Sequence, residues 1–269
     1  MLCCARSQWL AASVLFALAG MFRSNGVLLS GFVLWGLNIQ PILDGKRVRV
    51  TCRPREICAI LTSRVKLSIK NLFYSVFLTG AILVPFLYHH QVAHDAFCNV
   101  PQPASWCSHF PPSIYTHVQA KYWNVGFLRY WTLQQLPNFI ISAPPVISIF
   151  YFCFFHVKHG LIPRLGFRIS SKSSMDDSKK PHSHESLSSR FLSSSLTPHV
   201  IHALFLCTTL LLTSHVQIIL RLGPSMPLLF WSATWLLVER PPWGRRWVAW
   251  SVIWGAISLV LWGTFLPPA

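Results

Sequence analysis

The residues best suited to chemistry lie together between Ile114 and Phe139. The run Tyr115-Thr116-His117-Val118-Gln119-Ala120-Lys121-Tyr122-Trp123-Asn124 continues through Gly126, Arg129, Tyr130 and Trp131 to Gln134 and Gln135. Rings interleaved with amides and cations suit a carbohydrate or a lipid phosphate head group. Rings cover the apolar faces of a sugar, amides bond its hydroxyls, and Lys121 or Arg129 offsets phosphate charge. Gln119, Tyr122, Trp123 and Asn124 are the candidates for gripping a sugar. The same composition also describes an aromatic belt at a membrane interface, the commoner origin of such a run.

Sugar transfer by inverting displacement needs a base, normally a carboxylate, to take the proton of the acceptor hydroxyl. The chain holds seven acids: Asp44, Glu56, Asp95, Asp176, Asp177, Glu185 and Glu239. Only Asp95 falls on the same side as the aromatic run, so a pair of carboxylates of the retaining glycosidase kind is excluded there by count. Asp95 is therefore a weak catalytic candidate. His89, His90, His94, His109 and His117 lack accompanying carboxylates or ligand spacing, and His182 and His184 lack further spaced ligands. No metal site is expected.

There are eight cysteines. Cys98 and Cys107 alone lie in the expected outer loop, where oxidation is allowed. Their spacing admits a small disulfide loop around Pro101 and Pro103, or two free thiols. Cys52 and Cys58 have no second pair, so zinc is not expected.

The elements that must hold these residues follow from composition. Of 269 residues, 52% are hydrophobic and only 11% charged, against about 25% in soluble domains. Much apolar surface must therefore lie in lipid. Uncharged windows long enough to span a bilayer run over Leu72–Tyr88, Pro137–Val157, His199–Leu220 and Trp247–Leu266. Ser7–Leu43 is broken by Arg23-Ser24-Asn25-Gly26 and reads as two helices joined by a tight turn. Pro224–Val238 is short, with Pro227 near its start. The expectation is an all-α multi-pass bundle of about seven spans, with six as the fallback. Arg6, an apolar core at Trp9–Ala17 and Ala17-Leu18-Ala19 imitate a signal peptide, yet the apolar character continues to Leu43.

The formal charge of +16 comes from 23 Lys and Arg. They concentrate between Asp44 and Lys70, between Lys158 and Pro198, and at Arg240, Arg245 and Arg246. The positive-inside rule puts these loops in the cytoplasm and residues 91–136 outside. The charge thus records topology, and no nucleic-acid partner is implied. Residues 158–198, rich in Ser and His, read as a disordered cytoplasmic linker, and residues 1–269 as one transmembrane domain.

Several motifs together resemble the GPI mannosyltransferase 2 (PIG-V) family of multi-pass GT-C glycosyltransferases. They are Arg23-Ser24-Asn25-Gly26, Tyr122-Trp123-Asn124-Val125-Gly126-Phe127-Leu128 with Tyr130, Gln135, Pro137-Asn138-Phe139, Ala143-Pro144, His215-Val216-Gln217, Arg221 and Phe265-Leu266-Pro267. The resemblance implies transfer of the second, α-1,6-linked mannose of the GPI precursor in the endoplasmic reticulum membrane. The donor would be dolichol-phosphate mannose, with no cofactor or bound metal. It implies substrate contacts at Arg23, Asn25, Gln119, Tyr122, Trp123 and Asn124, with Arg23 toward the donor phosphate. The family's acidic first luminal loop has no counterpart, so the chain reads as a C-terminal portion expected to be inactive alone. The alternative is a non-catalytic membrane subunit or scaffold that joins GPI-assembly enzymes as an accessory partner.

Overall fold

The computed structural model of the chain describes residues 1–45, 54–165 and 190–264. Cys52, His182, His184 and the centre of the Ser/His-rich segment lie outside the described residues. Among the described residues every regular element is helical. They group into two compact units, Met1–Tyr122 and Trp123–Ala269.

The first unit is built on α1 (Trp9–Phe22), α2, α3 (Pro54–Cys98) and α4 (Ile114–Tyr122). Helix α2 starts as Ser30–Leu34, passes a π turn at Trp35–Ile39 and continues as Gln40–Gly45. Ala12, Phe16, Phe32, Val33, Leu37, Leu78 and Ile82 form the core where α1, α2 and α3 meet. Apolar area alone drives little helix association in lipid, so close backbone approach and interhelical hydrogen bonds carry the packing. Buried Ser13 donates to the Leu78 carbonyl at 2.9 Å, and Asn38 Nδ2 donates to Ser75 Oγ at 2.8 Å. Asn71 donates to the carbonyl of Leu37, inside the π turn, where the regular i to i−4 ladder is interrupted.

The break at Arg23–Gly26 becomes the start of a 3₁₀ turn, Ser24–Leu29, which folds back on α1. A Cβ on Gly26 would sit 2.6 Å from the Gly20 backbone nitrogen and 2.8 Å from the Ala19 carbonyl carbon. Only glycine fits that contact.

The second unit contains α5, α6 (Thr197–Thr213), α7 (Pro227–Glu239) and α8 (Pro241–Gly263). Helix α5 runs over Leu136–His156 and continues through a π turn, Val157–Leu161, to Ile162–Arg164. Helices α5 to α8 all carry proline in their first turn, where the missing N–H would have no intrahelical partner anyway. Trp235 of α7 packs on Tyr151, Phe152 and Phe155 of α5, and Ser148 bonds Ser232 at 2.9 Å. Fully buried His156 has both ring nitrogens engaged, Nδ1 with the Phe191 carbonyl at 2.9 Å and Nε2 with Thr197 Oγ1 at 3.0 Å.

All seven expected apolar segments are helical. Five stretches are long and apolar enough to cross a membrane: Ser24–Leu43, Ile69–Cys98, Leu133–Arg164, Ser194–Thr213 and Pro241–Gly263. Trp9–Phe22 and Pro227–Glu239 are shorter. Three boundaries differ from the expectation. Helix α3 continues to Cys98, into the stretch read as outer loop. The window His199–Leu220 breaks where Ser214 turns extended, at φ −133° and ψ −167°. The described ends of segment 158–198 contain helical turns at Val157–Leu161, Ile162–Arg164 and Ser194–Leu196.

Gly26→Ala forces backbone apart from backbone, whereas a Cβ on Gly80 of α3 meets nothing within 4 Å. The expected result is a clear fall in the thermal midpoint of the detergent-solubilised protein for Gly26→Ala. Gly80→Ala should be neutral or stabilising by up to about 1 kcal/mol, since glycine is unfavourable inside a helix.

Candidate functional site

Two clusters hold the sequence-selected residues, one in each unit. In the first unit a cavity of ≈ 440 Å³ opens where the Arg23 turn faces α3 and α4. Arg23 and Ser24 line it together with Phe86, Tyr88, His89 and Tyr115. Ser24 Oγ donates to the Tyr115 hydroxyl at 3.0 Å, which ties the turn to α4, and Tyr115 meets Phe86 edge-on at 6.3 Å. Arg23 is the exposed C-cap of α1, a position where a cation also interacts favourably with the helix dipole. No ion pair of Arg23 is present among the described residues. Asn25 is partly buried and does not line this cavity.

Asp95 lies on α3, about half exposed. It accepts from Gln91 Nε2 at 3.0 and 3.2 Å and from Asn99 Nδ2 at 3.2 Å, with His94 Nδ1 at 3.8 Å. All three partners lie within four residues of it in sequence, Gln91 and His94 on α3 and Asn99 just past its end. Cys98 and Cys107 are joined in a disulfide that closes the loop after α3, with Cα atoms 5.6 Å apart. Trp106 beside it is buried.

The second cluster centres on Tyr130, only 8% exposed. Its hydroxyl donates to Gln217 Oε1 and accepts from Asn138 Nδ2 at 3.0 Å. Asn138 Nδ2 also donates to Gln135 Oε1 at 2.7 Å. The Tyr130 ring stacks on His215, centroids 4.5 Å apart and planes 16° from parallel. His215 Nε2 lies 2.8 Å from the Trp123 carbonyl, so that nitrogen carries the proton. Burial pushes the Tyr130 phenol above its ordinary pKa, opposed by the Asn138 hydrogen bond. The phenol therefore stays protonated and keeps its donor role.

The loop from Trp123 to Trp131 owes its shape to the end of α6. The Gly126 N–H donates to the Thr213 carbonyl at 3.1 Å and the Leu128 N–H to the Leu212 carbonyl at 2.7 Å. The Trp131 indole N–H reaches the Leu211 carbonyl at 2.8 Å. Three carbonyls left open by the end of the helix are thus paired. Following this path puts Asn124 at φ 50° and Leu128 at φ 55°. Asn tolerates the left-handed region; leucine there is uncommon and strained.

Of the sequence-selected residues, Gln119 and Tyr122 belong to α4 in the first unit, while Trp123 and Asn124 open the second. Tyr122, Trp123 and Asn124 are exposed and Gln119 is partly so. Tyr130, Gln135, Asn138, His215 and Gln217 were quoted for resemblance but not chosen as site residues, and these are the ones brought together. Their shared membership of one motif set, at matching spacing, was the available signal. Both clusters are neutral or cationic. Among residues with described side chains the carboxylates are Asp95 and Glu239, and neither lines the Arg23 cavity or joins the Tyr130 network. The arrangement can hold hydroxyls and an anion. No group of three or more His, Cys, Asp or Glu is placed to hold a metal among the described residues.

Tyr130→Phe leaves the Gln217 oxygen without its donor and deprives Asn138 of one acceptor. The expected cost is about 1–3 kcal/mol, read as a lower thermal midpoint in detergent. An unchanged midpoint would mean that the network is not closed.

The chain matches the family model described as Mannosyltransferase (PIG-V) over residues 1–269. It is 30% identical over 261 residues to the GPI alpha-1,6-mannosyltransferase 2 of Rattus norvegicus, covering 88% of this chain and 49% of that protein. With the GPI mannosyltransferase 2 of Chaetomium globosum it shares 31% identity over 261 residues, 97% of this chain and 51% of the relative. A Cryptococcus neoformans relative of the same name is 30% identical over 287 residues, 98% and 60% of the two chains. The chain therefore spans about half the length of the curated relatives it matches. No solved structure matches it.

Proposed function

From the premise that the chain belongs to the PIG-V mannosyltransferase family, we infer that it serves the transfer of the second, α-1,6-linked mannose in GPI-anchor synthesis. The donor is dolichol-phosphate mannose, the acceptor is the mannosylated GPI precursor, and the location is the endoplasmic reticulum membrane. The observation that carries this reading is the family match along the whole chain, together with relatives named as GPI mannosyltransferase 2. In the reaction an acceptor hydroxyl oxygen attacks the anomeric carbon of mannose. The bond to the donor phosphate breaks, and the phosphate leaves with the electron pair. Arg23 forms no ion pair among the described residues, lies at the rim of a cavity and is suited to bond that phosphate as its charge grows. Gln119, Tyr122, Trp123, Asn124 and Asn25 are the proposed sugar contacts.

The proton of the acceptor hydroxyl needs a base, normally a carboxylate, and among the residues with described side chains neither cluster holds one. Asp95 stays outside both, held by its own sequence neighbours. That observation keeps a second reading in play, a non-catalytic membrane subunit that binds GPI-assembly enzymes.

A chimera in which this chain replaces the matching half of the rat relative should restore GPI-anchored surface proteins to cells lacking that enzyme. Arg23→Ala in the chimera should lower mannose transfer roughly ten- to a hundred-fold, as expected for one charge-assisted hydrogen bond of about 1.5–3 kcal/mol. A membrane-inserted chimera expressed at the level of the rat protein that still accumulates the one-mannose precursor would contradict the transferase reading. Co-purification of this chain with the intact rat enzyme, without transfer by the chimera, would favour the subunit.

A further inference from the structure

A cavity in the second unit is separate from the Tyr130 network. It has a volume of ≈ 660 Å³ and lies among α5, α7 and α8. Its α5 wall runs from Ile140 to Tyr151, and Trp247 and Trp250 of α8 line another side. At 1.5 Å per residue that wall is about 16 Å long, roughly half of a ~30 Å hydrocarbon core and so the depth of one leaflet. The volume falls within the range of about 300–1,000 Å³ usual for small-molecule sites.

Its charged residues are gathered at the turn from α7 to α8. Arg240 and Arg246 both line the cavity and both are exposed. The Arg246 guanidinium sits 4.7 Å over the Trp243 ring, which orients it. Among the described residues neither arginine forms an ion pair, and no acid lines the cavity. Glu239 is adjacent in sequence, yet its Oε1 is buried without a partner among the described residues. The turn itself is closely packed: a Cβ on Gly244 would sit 2.6 Å from Leu237 Cα. An apolar slot one leaflet deep, bordered by aromatics and carrying two unpaired guanidinium groups, is complementary to an acyl chain that ends in a phosphate.

We propose that this cavity binds an anionic glycerophospholipid, with its acyl chain along α5 and its phosphate between Arg240 and Arg246. The site lies outside the Arg23 cavity and the Tyr130 network, and its occupant is a structural lipid rather than a substrate of mannose transfer.

The test is native mass spectrometry of the full chain released from nanodiscs of phosphatidylcholine containing a minor share of phosphatidylserine. The expected spectrum retains one phosphatidylserine, favoured over phosphatidylcholine on the order of ten-fold or more, given about 1 kcal/mol per basic residue near a lipid surface. The R240Q/R246Q double variant should lose that preference, while R240K/R246K should keep most of it. Ala143→Phe, which narrows the slot without touching charge, should lower retention of both lipids. Equal retention of the two lipids by the unmodified chain would overturn the proposal. So would an unaltered preference in R240Q/R246Q, or a spectrum dominated by a lipid-free dimer, which would make the slot an interface between copies.

Discussion

A helix that ends near or within a membrane must find partners for its last carbonyls, because lipid supplies none and each unsatisfied group costs several kcal/mol. Helix α6 ends at Thr213, and its solution shapes the second unit. The segment Trp123–Trp131 lies across the helix end and donates from Gly126, Leu128 and the Trp131 indole to three successive carbonyls. Two left-handed residues, Asn124 and Leu128, are the consequence of fitting that path. With the segment fixed, Tyr130 points inward and joins Gln217 and Asn138, and its ring lies on His215. Segments 87 residues apart in sequence thereby share one hydrogen-bonded group.

This gives the densest motif of the chain a divided role. Gly126, Leu128, Tyr130 and Trp131 act on the scaffold, whereas Trp123, Asn124 and Phe127 turn outward. The exposed members are free to meet a glycan or the lipid interface, and the inward members hold them in place. The Arg23 turn in the first unit shows the same division. Gly26 permits the backbone contact with Gly20, Ser24 ties the turn to Tyr115, and Arg23 remains at the rim of the cavity. Asn25, although inside this motif, does not line the Arg23 cavity.

The helices were legible because composition dominates in lipid: long uncharged runs marked them, and Pro227 marked the start of α7. The helix–turn–helix at Arg23–Gly26 was also legible from a charge and a turn signal inside one apolar run. Boundaries were harder. The apolar pattern continues from α6 past Ser214 although the helix stops, since carbonyls captured by a distant segment leave no mark in local hydropathy. Similarly, α3 continues to Cys98 through residues polar enough to read as a loop. At the sites, residue type identified the exposed aromatics and Arg23. It did not single out Tyr130 and Gln217, whose importance depends on a tertiary hydrogen bond. The spacing of Cys98 and Cys107 allowed either state, and the structure joins them.

The capping of α6 by Trp123–Trp131 is the claim on which the geometry of the second unit rests. Amide hydrogen exchange of the chain in nanodiscs tests it most directly, because Gly126 and Leu128 carry the two backbone donors. The account predicts that these amides exchange slowly, with protection comparable to the last turns of α6, and that Leu211→Pro, by disrupting that helix end, speeds exchange in both places together. Exchange at Gly126 and Leu128 as fast as in an unprotected loop, while α6 stays protected, would contradict it.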